Sequence, residues 1–488
     1  MKARVFRISV FTLVLFLSAC AMGPDYERPE VPVPAEYAEE VIPGASFANL
    51  SWWELFEDEE LAALIEAALV NNKELAIAIA RIEEARAALG FVRADQYPNL
   101  DAGASAGRGN TATGVGVPGE INDTYVLAAN LSFEVDLWGK LRRSTEAARA
   151  ELLATVEARN VVTITLIADV ASVYLLLLDL DKRVSVAQRT METRQDSLEI
   201  VQARFDKGVV PLIDVNQAEI ELEDAKAELA ALQRQNQQAE NLLSVLLGRN
   251  PGPIVRTRKS GSGLPPPDIP AGLPSELLER RPDVRQASQL LAAQTARIGV
   301  AEALRFPSLS LTGSLGLAST ELDDFISSDN KVWGISADLF GPIFDAGRGK
   351  SRVEAERART EQLLNNYELT VLRAFQEVED ALIDIRTYRE EALARERQVA
   401  AAQSAANLSR ARYDGGVTSY LEVLESERSL FRAELLASAT RREQIVAVVS
   451  LYKALGGGWV NETEVNEAGS FINASLPPSS REPTPPSH

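Results

Sequence analysis

Two periods of apolar residues organise this 488-residue chain. The first is helical. No Pro or Gly interrupts Lys140 to Lys207, Leu212 to Leu247, Lys350 to Asp414 or Val417 to Leu455. Within these spans Ala, Leu and Val alternate with Arg, Glu and Gln in the manner of amphipathic helices packed side by side. Fully helical, Lys140 to Lys207 would extend about 100 Å at 1.5 Å per residue. Globular helices do not reach that length, so the pattern predicts coiled-coil packing with a break along it. Val161 to Leu180, apolar except for Thr, Ser, Asp169 and Asp179, has the length of a transmembrane helix. A mid-span Asp costs a few kcal/mol in lipid, and the helix continues charged on both sides, so a buried stretch is the better reading.

The second period is two. Tyr125, Leu127, Ala129, Leu131, Phe133 and Val135 alternate with Val126, Ala128, Asn130, Ser132 and Glu134. Leu309, Leu311, Leu315 and Leu317 alternate with Ser and Thr, and Trp333, Ile335, Ala337 and Leu339 with Gly334, Ser336 and Asp338. Leu100 to Gly107 repeats the pattern more weakly. Four segments of about ten residues, apolar on one face and small and polar on the other, match tilted outer-membrane strands with a wet lumen. Soluble sandwich strands share this period. In lipid an open sheet edge is not tolerated, so on the membrane reading other copies must complete the sheet.

The chain also repeats itself. Phe205-Asp206-Lys207-Gly208-Val209 returns 208 residues later as Tyr413-Asp414-Gly415-Gly416-Val417, and Leu247-Gly248 as Leu455-Gly456. Tyr97-Pro98 returns as Phe306-Pro307 at an offset of 209. Each half reads helix, two strands, very long helix, tight Gly turn, helix, which is the mark of a duplicated structural unit.

Lys2, Arg4 and Arg7 precede an apolar run from Ile8 to Leu17, a signal-peptide pattern too short to span a bilayer. Leu17-Ser18-Ala19-Cys20 resembles a bacterial lipobox, in which the Cys is acylated and becomes the mature N-terminus. Cys20 is the chain's single cysteine, and multiple acyl chains give stable anchoring. By analogy with lipoprotein sorting, Ala21 favours export to the outer membrane.

Composition narrows the chemistry. With 50 Lys+Arg against 70 Asp+Glu, the net charge of -20 opposes nucleic-acid binding. One Cys and one His exclude an internal disulfide, a Cys/His zinc cage and a His-centred triad. Carboxylate pairs abound, but on long helices these read as solvated faces rather than acid–base dyads. No enzyme activity and no cofactor are expected.

Several motifs resemble one family in order: Ser51-Trp52-Trp53-Glu54-Leu55-Phe56 before a helix, ERRPDVRQA at 279–287, IGVAEALRFPSLSLTGSLG at 298–316 and RYDGGVTSYLEVLESERSLF at 412–431. These resemble the outer membrane factors, the TolC-like outer-membrane efflux proteins, and with the lipobox the lipoprotein branch serving resistance–nodulation–division pumps. The resemblance implies a mixed α/β membrane channel: a homotrimer whose twelve-stranded β-barrel, four strands per chain, is continued by a long periplasmic α-helical barrel. It implies passive conduction of drugs or other toxic compounds from an inner-membrane pump and a periplasmic adaptor to the exterior. The expected organisation is a signal peptide at 1–19, a lipid-anchored strap at 20–60 and a first repeat at 61–250 with strands about 99–107 and 124–135. A Pro-rich connector at 251–282, a second repeat at 283–459 with strands about 308–317 and 331–340, and a disordered tail at 460–488 complete it.

The resemblance assigns sites to the two Gly turns. Gly208, Val209 and Val210 with Gly416, Val417 and Thr418 match the adaptor-docking tips, while the glycines in any case supply a turn geometry. Arg412, Tyr413, Glu422 and Glu425 match the periplasmic constriction. The i, i+3 spacing sets both glutamates on one helix face, and three copies would form acidic rings. The first repeat has Arg204, Phe205, Asp214 and Gln217 at the matching positions, one carboxylate fewer. Two other readings are a type I protein-secretion exit duct and a periplasmic coiled-coil scaffold lipoprotein without a pore.

Overall fold

In a computed structural model the described residues are 21–34, 37–38, 58–109, 121–256 and 277–457. Cys20, the Trp52-Trp53 motif, the middle of the connector and the tail from residue 458 lie outside them. The element order is α1 (Glu59–Asn71), α2 (Lys73–Ala94), β1 (Asn99–Gly109), β2 (Asn122–Val135), α3 (Lys140–Asp206) and α4 (Leu212–Leu246). It continues with α5 (Leu277–Arg280), α6 (Pro282–Ala303), β3 (Ser308–Ser319), β4 (Lys331–Phe340), α7 (Arg348–Asp414) and α8 (Tyr420–Ala454). Adding 208 to the limits of α3 and α4 gives those of α7 and α8 residue for residue.

The long helices differ from expectation in one respect. Both α3 and α7 run 67 residues without a break. Apart from Gly349 in the first turn of α7, neither helix contains Pro or Gly, which supplies the local reason, since kinks need Pro, Gly or an insertion in the hydrogen-bond ladder.

The chain divides into two compact units. The first unit (residues up to 31, 80–157 and 285–370) contains the sheet. Its order is β1-β2-β3-β4, antiparallel throughout, so β2 and β3 pair although 172 residues separate Val135 from Ser308. The register aligns the apolar positions across all four strands. Ala104 faces Leu127, Leu127 faces Leu317, Ala129 faces Leu315, and Leu315 faces Trp333. The opposite face aligns Glu134 with Ser310 and Ser310 with Asp338, and the Thr312 and Ser336 hydroxyls lie 2.6 Å apart. Within the described chain nothing covers the apolar face: Trp333 is 75% exposed and Ile335 83%.

Aspartates start the long helices at the sheet's base. Asp136 accepts from the Leu141 and Arg142 amides at 3.1 and 3.0 Å. Asp345 accepts from the Gly347 and Gly349 amides at 2.9 and 2.7 Å, and these bonds hold its carboxyl below the ordinary value. The Trp138 ring stacks on Phe306 at 4.8 Å, with Nε1 donating to the Pro307 carbonyl. Residues 21–25 seat here as well. The Met22 amide donates to the Trp138 carbonyl, and the buried Arg143 guanidinium donates to the Met22 and Gly23 carbonyls and Asp25.

The second unit (32–79, 158–284 and 371 onward) is helical. Its core gathers Leu61 and Ile65 of α1, Val170, Tyr174, Leu177 and Leu180 of α3, Leu232 and Leu243 of α4, and Val448, Leu451 and Leu455 from the end of α8. The apolar stretch Val161–Leu180 therefore serves this core, with Val170, Ala171 and Leu177 wholly buried. Arg281, in the ERRPDVRQA motif, donates to the Ala454 carbonyl and pairs with Asp283 and Glu377.

Candidate functional site

The Gly turns close two helical hairpins, α3–α4 and α7–α8. Their backbones are copies. Gly208 has φ 73 and Gly416 φ 72. The Gly208 and Val209 amides donate to the Phe205 and Arg204 carbonyls, and the Gly416 and Val417 amides to those of Tyr413 and Arg412, which is the Schellman ending of a helix. A Cβ added at either glycine meets nothing within 4 Å, so positive φ rather than crowding demands glycine there.

Side chains differ from one turn to the other. Val209 and Val417 stand 69% and 71% exposed at the tips. Val210 packs instead on a small core of Val201, Val215, Ala218, Tyr420, Val423 and Leu424 contributed by both hairpins. The Thr418 hydroxyl donates to the Glu422 carboxylate.

Of the constriction candidates, Arg412 and Glu422 meet, Nε standing 3.4 Å from Oε1. Glu425 shares their exposed face, 3.8 Å from Arg428. Among the described residues Tyr413 joins no carboxylate: its ring packs on Tyr420 at 5.3 Å between centroids, and its buried hydroxyl finds no hydrogen-bond partner there. The Tyr413 neighbour from the other hairpin is Arg204, whose guanidinium carbon lies 4.8 Å from the ring centroid while Nη2 is 3.6 Å from Asp414.

Farther along the helices a buried ion cluster joins the hairpins. Glu221 of α4, 2% exposed, pairs with Arg194 of α3 at 3.1 Å and with Arg428 of α8. Arg194 also donates to the Glu221 carbonyl and lies over the Phe431 ring at 5.4 Å. Burial lowers the Arg194 pKa despite this partner, and raises that of Glu427, which Arg410 and Arg194 oppose. Desolvation, with Glu427 nearby, pushes Tyr420 up to about 12. Charged residues recur all along these helices, so nothing in the local pattern separates Glu221 from the solvated Glu219 and Glu223.

Among the described residues no cluster of His, Cys, Asp or Glu could hold a metal ion. Duplicated helical hairpins with exposed tips, in a chain that also carries a sheet with an uncovered apolar face, are features of a membrane conduit subunit. Residues 64–249 and 273–457 match the family model for outer membrane efflux proteins, and the chain belongs to that family. It is 34% identical over 458 residues to the cation efflux system protein CusC of Escherichia coli K12, covering 92% of this chain and 98% of that one. It is 33% identical over 474 residues to the antibiotic efflux pump outer membrane protein ArpC of Pseudomonas putida, covering 95% and 98%. The probable outer membrane lipoprotein SilC of Salmonella typhimurium is 32% identical over 459 residues, covering 93% and 98%. A crystal structure of CusC superposes with a TM-score of 0.80 at 33% identity, over 90% of this chain and all of that one. The chain is thus an outer-membrane exit channel of a tripartite efflux system, in a family of transport channels rather than enzymes.

Proposed function

We propose that three copies of the chain close a twelve-stranded barrel, with the long helices of the same three chains walling a periplasmic tunnel. The observation that carries this reading is the sheet, open at β1 and β4 among the described residues and apolar on one uncovered face. Hydrocarbon accepts such a sheet only when its edges are closed, and four strands are too few to close alone. The polar face carrying Glu134, Ser310 and Asp338 then lines a wet lumen. Cys20, outside the described residues, is the lipid anchor, immediately before the seated strap at Ala21–Asp25. The two repeats span 61–250 and 283–459, with the connector at 251–282 between them.

In this reading the turns at Gly208 and Gly416 form the adaptor-facing end, with Val209, Val210, Val417 and Thr418 as the docking contacts. Glu422 and Glu425 become rings around the pore axis, and the Arg412 pair neutralises part of that charge in a closed constriction. The pump, of the resistance–nodulation–division type, selects the cargo. Drugs and other toxic compounds are the expected class, and the channel supplies no cofactor chemistry.

Single-channel recording of the full chain in planar bilayers tests the gate. Tyr413→Ala with Arg412→Ser is expected to raise conductance several-fold. Unchanged conductance would remove the constriction from this end of the helices.

A further inference from the structure

Arg204 and Arg412 are repeat mates, since 412 minus 204 is the offset of 208. Each ends a 67-residue helix, two residues before the last helical position. Their targets differ. Arg412 stays within its own hairpin and pairs with Glu422. The equivalent target for Arg204 is Asp214, 208 residues before Glu422, but Arg204 turns to the other hairpin and pairs with Asp414 at 3.6 Å. Its guanidinium lies over the Tyr413 ring.

We propose that Arg204 is the latch holding the first hairpin to the second, gripping the face of Tyr413 and the Asp414 carboxylate. This rests on the reading of these turns as the gate. The ring, not the hydroxyl, is what Arg204 grips: among the described residues the buried Tyr413 hydroxyl has no hydrogen-bond partner, while the ring contacts both Arg204 and Tyr420. A planar guanidinium stacks on an aromatic face and pairs with a carboxylate at once, which an ammonium cannot do equally well. The first hairpin has Phe205 where the second has Tyr413, so an aromatic ring without a hydroxyl already serves the equivalent position.

Planar-bilayer recordings of the full chain separate the possibilities through the ratio of open to closed dwell times. Arg204→Ala is expected to raise that ratio roughly five- to thirtyfold, the worth of one partly desolvated cation–π contact. Arg204→Lys should recover part of the loss, Tyr413→Phe should behave as wild type, and Tyr413→Ala should open like Arg204→Ala. Opening by Tyr413→Phe equal to that of Tyr413→Ala would overturn the latch, because the hydroxyl would then be the holding group. A closed Arg204→Ala channel alongside an open Arg412→Ser/Tyr413→Ala channel would likewise refute the latch while leaving the gate in place. If none of the variants opens, the gate reading itself fails and the latch with it. Heat-modifiable migration on gels confirms that each recorded variant has assembled.

Discussion

Asn72 and Arg281 do the same work in the two halves of the chain. Asn72 Nδ2 donates to the Leu246 carbonyl at 2.9 Å, and Arg281 Nη1 donates to the Ala454 carbonyl at 2.9 Å. Leu246 and Ala454 are the last residues of α4 and α8, 208 residues apart, and the two donors are 209 apart. Each donor stands at a joint between two helices, α1–α2 or α5–α6, and ties off a carbonyl that a helix end leaves without an internal partner.

The two ties should differ in cost. Arg281 also bonds Asp283 and Glu377, and its side chain is 7% exposed. Asn72 adds a cap on the Leu75 amide. Arg281→Met is expected to cost about 2–3 kcal/mol and Asn72→Ala about 1–2 kcal/mol, from lost charge-assisted and neutral bonds respectively. Thermal melts followed by circular dichroism in detergent check the order; a milder effect at Arg281 would contradict it.

Asp179 makes stability pH-dependent. Burial lifts its carboxyl above the ordinary 3.8, opposed by the Ser438 hydroxyl at 2.6 Å, Arg183 and Arg442, while Glu443 adds to the rise. The folded chain therefore keeps this proton to higher pH than the unfolded chain. That contribution is complete below the ordinary value and is lost as pH rises through the raised one. Asp179→Asn retains an acceptor for Ser438 and removes the slope. Its Tm should match the wild type in acid and gain on it as pH climbs from about 4 toward neutrality. Parallel Tm–pH curves would show that Asp179 does not titrate in this window.

The seat of the strap after Cys20 leaves no space for side chains. A Cβ on Gly299 of α6 would stand 2.3 Å from the Met22 carbonyl oxygen, and one on Gly23 2.4 Å from the Gly299 Cα. Gly299→Ala must push the strap out at about 1–3 kcal/mol. Limited proteolysis should then cut within residues 21–34 in the variant and spare the wild type. Gly103→Ala, with open space around an added Cβ, is the control expected to change nothing.

Much of the architecture is legible in the chain. The alternation from Leu309 to Leu317 and from Trp333 to Leu339 marks β3 and β4, and Gly-bearing turns mark the hairpin ends. The pairing of Arg412 with Glu422 sits ten residues apart within one hairpin and is close to local. Arg204 offered a weak signal, its position in the repeat, but not its direction. Glu221 offered none, because one carboxylate on a charged helix looks like the next until the packing partner is known.

Periodicity, glycine punctuation and an offset of 208 set which residues become strands, helices and turns, since those depend on backbone sterics and on which face of an element must leave water. They also disclosed the duplication, through residues that recur in order. The pairing of β2 with β3 across 172 residues, the burial of Glu221 between two arginines and the reach of Arg204 to Tyr413 came from packing. Identical backbones at the two turns leave side chains to choose among neighbours, and those neighbours are supplied by the other half of the chain.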